Sequence, residues 1–247
     1  MHIIYPQDYF NPKQPDELFL DEAAAFKISG LQISVWNQKP IKEGIYLYRG
    51  WMLSEKEYAD LEKLMTENNS SLIVNKDQYF YAHYLPNWYE KLKDLTPETV
   101  VVTTENLVND INGLDWEKFF VKDFVKSLTT SRGSIANSKE EVVQIVEELK
   151  NKRSIEGGIC LRKVKDFVTE SETRYFCLNK NILSPNESIP DIVKEVVSRI
   201  DLPFFSVDII KDKEGKEWLV EIGDGQVSDL KHPWTPEKFA NQIKAVI

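Results

Sequence analysis

The chain is poor in the residues that build zinc sites and disulfide frameworks. Its 247 residues include two cysteines, Cys160 and Cys177, and three scattered histidines, His2, His83 and His232. That set makes no zinc-ligand pattern. Both cysteines sit in apolar, strand-like runs, which points to buried reduced thiols and a reducing compartment. Positive charge is also scarce. There are 31 Lys and Arg against 40 Asp and Glu, a net charge of −9. Such a chain is a poor candidate for generic binding to nucleic acid or to an anionic membrane. No stretch approaches the roughly 20 apolar residues of a membrane span. The opening Met1-His2-Ile3-Ile4-Tyr5-Pro6 lacks the basic start and long apolar run of a signal peptide. The expected location is therefore cytoplasmic. Repeats, low-complexity segments and the G-x-x-x-x-G-K-[ST] phosphate loop are all missing.

What the chain does have is enough apolar material for a substantial core, 42% hydrophobic residues beside 29% charged. Residues 1–115 read as an α/β unit. Strands are expected at Ile3–Tyr5, Leu31–Trp36, Ile45–Tyr48 and Ser71–Asn75. A helix starts at Asp16, with Leu18, Phe19, Ala23 and Phe26 on one face, and stops at Ser29-Gly30. Ser54 caps another helix through Met65, with Glu57 as its capping-box partner. This alternation argues for a parallel sheet. Asp110-Ile111-Asn112-Gly113 is the candidate boundary. Residues 116–247 read as α+β, with strands at 119–125, 159–164, 173–178, 182–183, 204–210 and 217–222. Helices there begin after Ser138, with Val142, Ile145, Val146 and Leu149 inward, at Pro190, and at Thr235-Pro236.

The last hairpin carries the first sign of chemistry. Pairing Lys211 with Lys216 makes Phe205, Val207 and Ile209 face Ile222, Val220 and Trp218. Asp208 and Glu221 then become diagonal neighbours on the other face, and they repel unless a cation lies between them. Mg²⁺ takes one or two carboxylates plus phosphate oxygens, so a nucleotide-metal site is one reading; two ordinary solvated acids are the other. Lys122 precedes a polar loop with Lys126, Ser127, Arg132 and Gly133; a phosphate cradle made of its hydroxyls and N–H groups is one reading and an ordinary polar surface loop is the other. Arg162 and Lys163 end one strand and Arg174 opens another. Cations for phosphates, acids for Mg²⁺ and an arginine for developing charge are the parts of an ATP site.

Taken in order, these segments resemble the ATP-grasp fold. Glu170-Ser171-Glu172-Thr173-Arg174-Tyr175-Phe176-Cys177-Leu178-Asn179-Lys180 is similar to the family's arginine strand. Phe205-Ser206-Val207-Asp208 and Val220-Glu221-Ile222-Gly223-Asp224-Gly225-Gln226 are similar to its two metal-ligand strands. The clade named for an arginine and two lysines is the best match, and its members carry an N-terminal part similar to Tyr48-Arg49-Gly50-Trp51 and Thr96-Pro97-Glu98-Thr99. The resemblance implies a Rossmann-like pre-ATP-grasp domain (1–115) and an ATP-grasp domain (116–247), with nucleotide between antiparallel sheets. It implies ATP binding by Lys122, Lys126, Ser127, Arg132 and Gly133, and adenine reading by the backbone of Leu161, Arg162, Lys163 and Val164. Arg174 would stabilise an acyl phosphate. Asp208 and Glu221 would hold Mg²⁺, with Asp224 substituting for the asparagine that many members have where this chain has Gly223.

The implied activity is an ADP-forming carboxylate–amine ligase, acting on small molecules or peptides. The alternative is a non-catalytic ATP-binding regulatory module. A covalent nucleotidyltransferase would need K-x-D-G, which Lys122-Asp123 does not supply. Arg49 and Trp51 are candidates to line an acceptor pocket, although tryptophan is more often core. The aromatic run from Tyr79 to Tyr84, with Trp88 and Tyr89, reads as packing and not as base stacking.

Overall fold

The computed structural model describes residues 1–36, 41–127, 133–152 and 155–247. In chain order the elements are β1 (His2–Tyr5), α1 (Leu20–Ile28), β2 (Gln32–Val35), β3 (Ile45–Tyr48), α2 (Glu55–Glu67), β4 (Ser71–Leu72), α3 (Lys76–His83), α4 (Leu85–Leu92), β5 (Thr99–Val102) and α5 (Leu107–Asn112). There follow β6 (Phe119–Asp123), β7 (Ile135–Ala136), α6 (Lys139–Lys152), β8 (Ile159–Lys163), β9 (Phe167–Leu178), β10 (Asn181–Leu183), α7 (Asp191–Arg199), β11 (Phe204–Asp212), β12 (Glu217–Asp224) and α8 (Pro236–Ala245). Two compact units emerge, neither of them a continuous stretch. The first comprises residues 1–82, 173–208 and 222–247; the second comprises 83–172 and 209–221. Among the described residues no helix is long and apolar enough to cross a membrane.

The first unit contains the parallel sheet expected from the alternating pattern, in the order β2-β1-β3-β4. The central strand β1 pairs on both sides, His2 with Gln32 and with Tyr46. Its Ile3, Ile4 and Tyr5 are fully buried, as a parallel strand covered on both faces requires. Ser54 and Glu57 form the capping box of α2. The helix expected from Asp16 differs. A 3₁₀ turn spans Glu17–Phe19 before α1 begins, so Leu18 leaves the apolar stripe and is 69% exposed. Asp16 still caps it, accepting from the Leu18 N–H. The strand expected at Ser71–Asn75 is only two residues long. Phe26 of α1 meets Phe239 of α8 edge to face at 5.8 Å, and Thr235 caps α8 as expected.

The second unit is built on an antiparallel sheet in the order β5-β8-β6-β7. Here the expected boundary near residue 113 fails. Strand β5, unanticipated and upstream of that boundary, pairs with β8 from Thr99↔Arg162 to Val102↔Ile159. Residues 83–115 therefore join the second unit, and a self-contained Rossmann-like domain of residues 1–115 is not what forms. One sheet face carries Phe119, Val121, Ile159 and Leu161, and these pack with the buried face of α6, Val142, Ile145, Val146 and Leu149. Strand alternation leaves Phe120, Lys122, Cys160 and Arg162 on the other face.

A further sheet has the order β10-β9-β11-β12. Asn179 and Lys180 form its first turn, both at positive φ, and Leu178 pairs with Asn181. At the β11–β12 turn the pairing is one residue off expectation. The Asp212 N–H donates to Lys216 O and the Gly215 N–H to Asp212 O, with Gly215 at φ +83°. That is a three-residue loop with a glycine bulge, and it sets Asp212, not Lys211, against Lys216. Further along β12 the carbonyls of two successive residues turn the same way, that of Leu219 to the Thr96 hydroxyl and that of Val220 to Arg162. A regular strand would alternate them, so β12 is bulged there.

Gly157 has φ +78°, and a Cβ there would collide with the Phe124 ring. Gly215 has a similar φ but open space around it. Gly157→Ala is expected to cost about 2–4 kcal/mol and Gly215→Ala about 1–2 kcal/mol in urea unfolding. Equal costs would mean that backbone conformation alone, not the Phe124 contact, fixes Gly157.

Candidate functional site

In the second unit two buried cations share the sheet face that turns away from α6. Lys122 lies opposite Cys160, and Arg162 opposite Phe120. The Lys122 ammonium is 3.2 Å from the Glu221 carboxylate. The Arg162 guanidinium donates to Val220 O at 2.8 Å and to the Thr96 hydroxyl at 2.5 Å, and its buried Nε has no partner among the described residues. Burial lowers the Arg162 pKa, and the attraction of Glu221 offsets this only in part. A guanidinium so placed is relieved by an anion. The space beside it is a cavity of about 480 Å³ lined by Lys122, Lys126, Ser127, Arg162, Glu172 and Glu221.

Asp123, which sequence reasoning set aside, shapes the start of the loop that follows Lys122. Its Oδ1 accepts from the N–H groups of Val125 and Lys126, and its Oδ2 from that of Glu156. An aspartate three residues before a candidate phosphate lysine was the available signal. Of the other expected loop residues, Gly133 sits at φ +72°, and Arg132 lies outside the described residues.

The expected adenine-reading segment is corrected at its first residue. Leu161 is fully buried on the α6 side, and β8 is flanked by β5 and β6, so its main chain is committed to ladders. The Lys163 N–H is likewise held by Glu98 O. A cavity of about 350 Å³ begins instead where β8 ends, against Arg162, Lys163, Val164 and Lys165, with Pro97 and Phe120 among its apolar lining.

In the first unit Arg174 grips Asp208 with two parallel bonds, Nε to Oδ1 at 2.7 Å and Nη2 to Oδ2 at 2.6 Å. Lys231, absent from the sequence expectations, adds its ammonium at 3.1 Å from Oδ2. No motif marked it. Asp208 is 1% exposed, so both cations act at short range in a poorly screened setting. Arg174 is braced from behind: its Nη1 donates to Asp229 O and its carbonyl accepts the Trp234 indole N–H.

Asp224 does not sit where a metal ligand was expected. A Cβ on Gly223 would meet Ser206 Oγ, so Gly223 shares the face of Ser206, and hence of Asp208; the next residue points the other way. Asp224 is buried, accepts from the Gln226 N–H, and has an unpartnered Oδ2. Gln226 in turn donates to the Tyr58 hydroxyl. Burial pushes the Asp224 pKa up to about 7.

Arg49 is buried too. Its Nε and Nη2 bond both oxygens of Glu22 at 2.8 and 2.7 Å, and its Nη1 bonds the carbonyls of Gly225 and Ser228. Trp51, by contrast, is 46% exposed and not core.

Among the described residues no group of three or more His, Cys, Asp or Glu forms a metal cluster. Magnesium beside a nucleotide needs fewer: one or two carboxylates plus phosphate oxygens. Asp208 and Glu221, each already facing a cation, are hard oxygen donors of that kind.

The Asp224 placement makes a pH prediction. Between the unfolded carboxyl pKa, about 3.9, and the folded one the folded state holds the extra proton, so stability from this group is full at low pH and falls as pH rises through that window. Relative to Asp224→Asn, the parent protein is expected to lose up to roughly 1.4 kcal/mol per pH unit there. Parallel stability profiles from pH 4 to 7.5 would overturn this assignment.

Comparison with known proteins bears on family and fold. The model of an ATP-grasp domain, the third family of the clade named for an arginine and two lysines, matches residues 77–243. No curated protein matches the sequence. Solved structures match over the whole chain at low identity and so share its fold. D-cycloserine synthetase DcsG has a TM-score of 0.67 and 14% identity over 99% of both chains. A RimK domain ATP-grasp protein from Sphaerobacter thermophilus has 0.67 and 11% over 100% of this chain and 99% of its own. The macrocyclase MdnC from Microcystis aeruginosa, bound to the precursor peptide MdnA, has 0.61 and 11% over 100% and 99%. The chain belongs to the ATP-grasp family, in the third family of its arginine-and-two-lysines clade.

Proposed function

We propose that this chain is an ATP-dependent carboxylate–amine ligase that forms ADP. The observation that carries the reading is the buried pair Lys122 and Arg162, side by side over a cavity, with Glu221 as the nearby acid. Two desolvated cations balanced by one carboxylate suit a polyphosphate. Lys122, Lys126, Ser127 and Arg162 bind the ATP phosphates. The exit of β8 at Lys163, Val164 and Lys165 takes the base in the adjoining apolar cavity. Asp208 and Glu221 are the proposed magnesium ligands, and the ion, when bound, neutralises charge on the transferring phosphoryl group.

The reaction balances without a redox partner. A carboxylate oxygen of the acid attacks the γ-phosphorus, the bond to the β,γ-bridging oxygen breaks, and ADP leaves. The amine then attacks the acyl carbon, the C–O bond to phosphate breaks, and the amine loses its proton to solvent. Arg174, rigidly seated by Asp229 and Trp234, stabilises the negative charge that gathers in both steps. The precursor peptide bound to MdnC, and the small-molecule product in the name of DcsG, support peptides or small molecules as substrates. Two buried free thiols support the cytoplasm as the location.

Gly223 favours a second reading, a regulatory module that binds ATP without turning it over. Its missing side chain is occupied space: a Cβ would lie 3.1 Å from Ser206 Oγ and 3.3 Å from Ser228 Oγ. A side chain there would require both serines to shift, and a bound metal ion would have no ligand from this position.

The test is ADP release across a panel of acids and amines. Release is expected only when both are present, and Asp208→Asn and Glu221→Gln should each lower kcat by about 10²–10³-fold. Lys122→Met should weaken ATP binding, measured directly by calorimetry. Tight ATP binding with no turnover on any pair would select the regulatory reading; AMP as product would reject both.

A further inference from the structure

The first unit holds a cavity that none of the ATP chemistry uses. It has a volume of about 440 Å³ and its floor is the Arg49–Glu22 pair. The floor offers a ligand no positive charge, because Arg49 is spent on Glu22 and on the carbonyls of Gly225 and Ser228. One wall is aromatic. Phe19 and Trp51 meet edge to face at 5.2 Å, and about half of the Trp51 surface is open. The rim carries Asp21 and Asp229, both exposed and neither ion-paired among the described residues. The main-chain carbonyl of Asp229 accepts from Arg174, so this rim adjoins the proposed catalytic arginine within the same unit.

We propose that this cavity seats the amine substrate, as a small ammonium compound with an aromatic or aliphatic arm. An indole face and a lining that carries three carboxylates, Asp21, Glu22 and Asp229, against the one guanidinium of Arg49 attract a cation and repel an anion. The apolar wall rewards a hydrocarbon arm beyond the charge. The volume lies within the roughly 300–1,000 Å³ typical of small-ligand sites, which fits one amino-acid-sized amine. Arg49, a candidate ligand contact on sequence grounds, acts only as the support beneath. The inference rests on the ligase reading for what happens to the amine, though not for its binding.

The experiment uses the full chain without nucleotide and 2-phenylethylammonium as the probe, with binding followed by calorimetry. The neutral isostere 2-phenylethanol and the anion 3-phenylpropionate serve as comparisons. The ammonium is expected to bind at least about tenfold more tightly than either, with Trp51→Ala and Asp229→Asn each weakening it by about tenfold. Trp51→Ala should leave ATP affinity unchanged, which also shows that the variant is folded. Equal binding of the alcohol, tighter binding of the anion, or full affinity in Trp51→Ala would overturn the assignment. If amine binding follows this pattern but ADP never forms, the ligase reading fails and the cation site stands. If ADP formation requires an amine yet Trp51→Ala and Asp229→Asn leave its KM unchanged, the site fails and the ligase reading stands.

Discussion

The fold of the first unit depends on one buried ion pair. Glu22 on α1 and Arg49 just after β3 are 27 residues apart, and Arg49 also bonds carbonyls at 225 and 228. Three remote segments are thus fixed by one guanidinium through four hydrogen bonds. Tyr5 of the central strand adds its hydroxyl to the same glutamate at 3.0 Å. Removing either partner of such a pair costs about 3–5 kcal/mol, since the other is left charged and dry. Burial alone would lower the Arg49 pKa; Glu22 more than reverses this, so the arginine stays charged. Phe239 lies 4.9 Å beneath the guanidinium and ties α8 to the same point.

The same logic recurs at the candidate site with a different outcome. Arg174, Lys231 and Asp208 form a charged trio, as Lys122, Arg162 and Glu221 do in the second unit. Each trio has more cation than anion, unlike Arg49–Glu22. In a protein with net charge −9 that surplus is local and deliberate in its placement. It comes from strand alternation: residues 120, 122, 160 and 162 point one way while 119, 121, 159 and 161 build the core. A single backbone thus serves packing on one side and presents two cations on the other.

Much of this was legible in the chain. Apolar periodicity marked α6 and α7, capping residues marked the starts of α2 and α8, and turn residues marked both late hairpins. These signals are local, and they succeed where neighbours along the chain decide the structure. The failures are of two kinds, remote pairing and one-residue shifts of register. Nothing near Thr99–Val102 announces that its partner is β8, sixty residues on. The 3₁₀ turn that exposes Leu18, the glycine bulge at 215 and the irregular carbonyls at 219 and 220 each shift a register by one position, which periodicity cannot detect. At the candidate site, Lys122, Arg174, Asp208 and Glu221 stood out in the chain because residues of their type have family precedent. Lys231 was missed because its role exists only once the chain is folded around it, and Asp123 because its local turn signal is common to many loops.

Cys160 lies on the sheet face that carries Lys122 and Arg162, fully covered, and burial pushes its pKa up to about 12 despite both neighbouring cations. A sulfur in that state is almost never a thiolate and has no path to a reagent. Alkylation by iodoacetamide can then proceed only during moments when β8 separates from its neighbours. The thiol is a clock for that separation, and any anion that pins the two cations together should slow it.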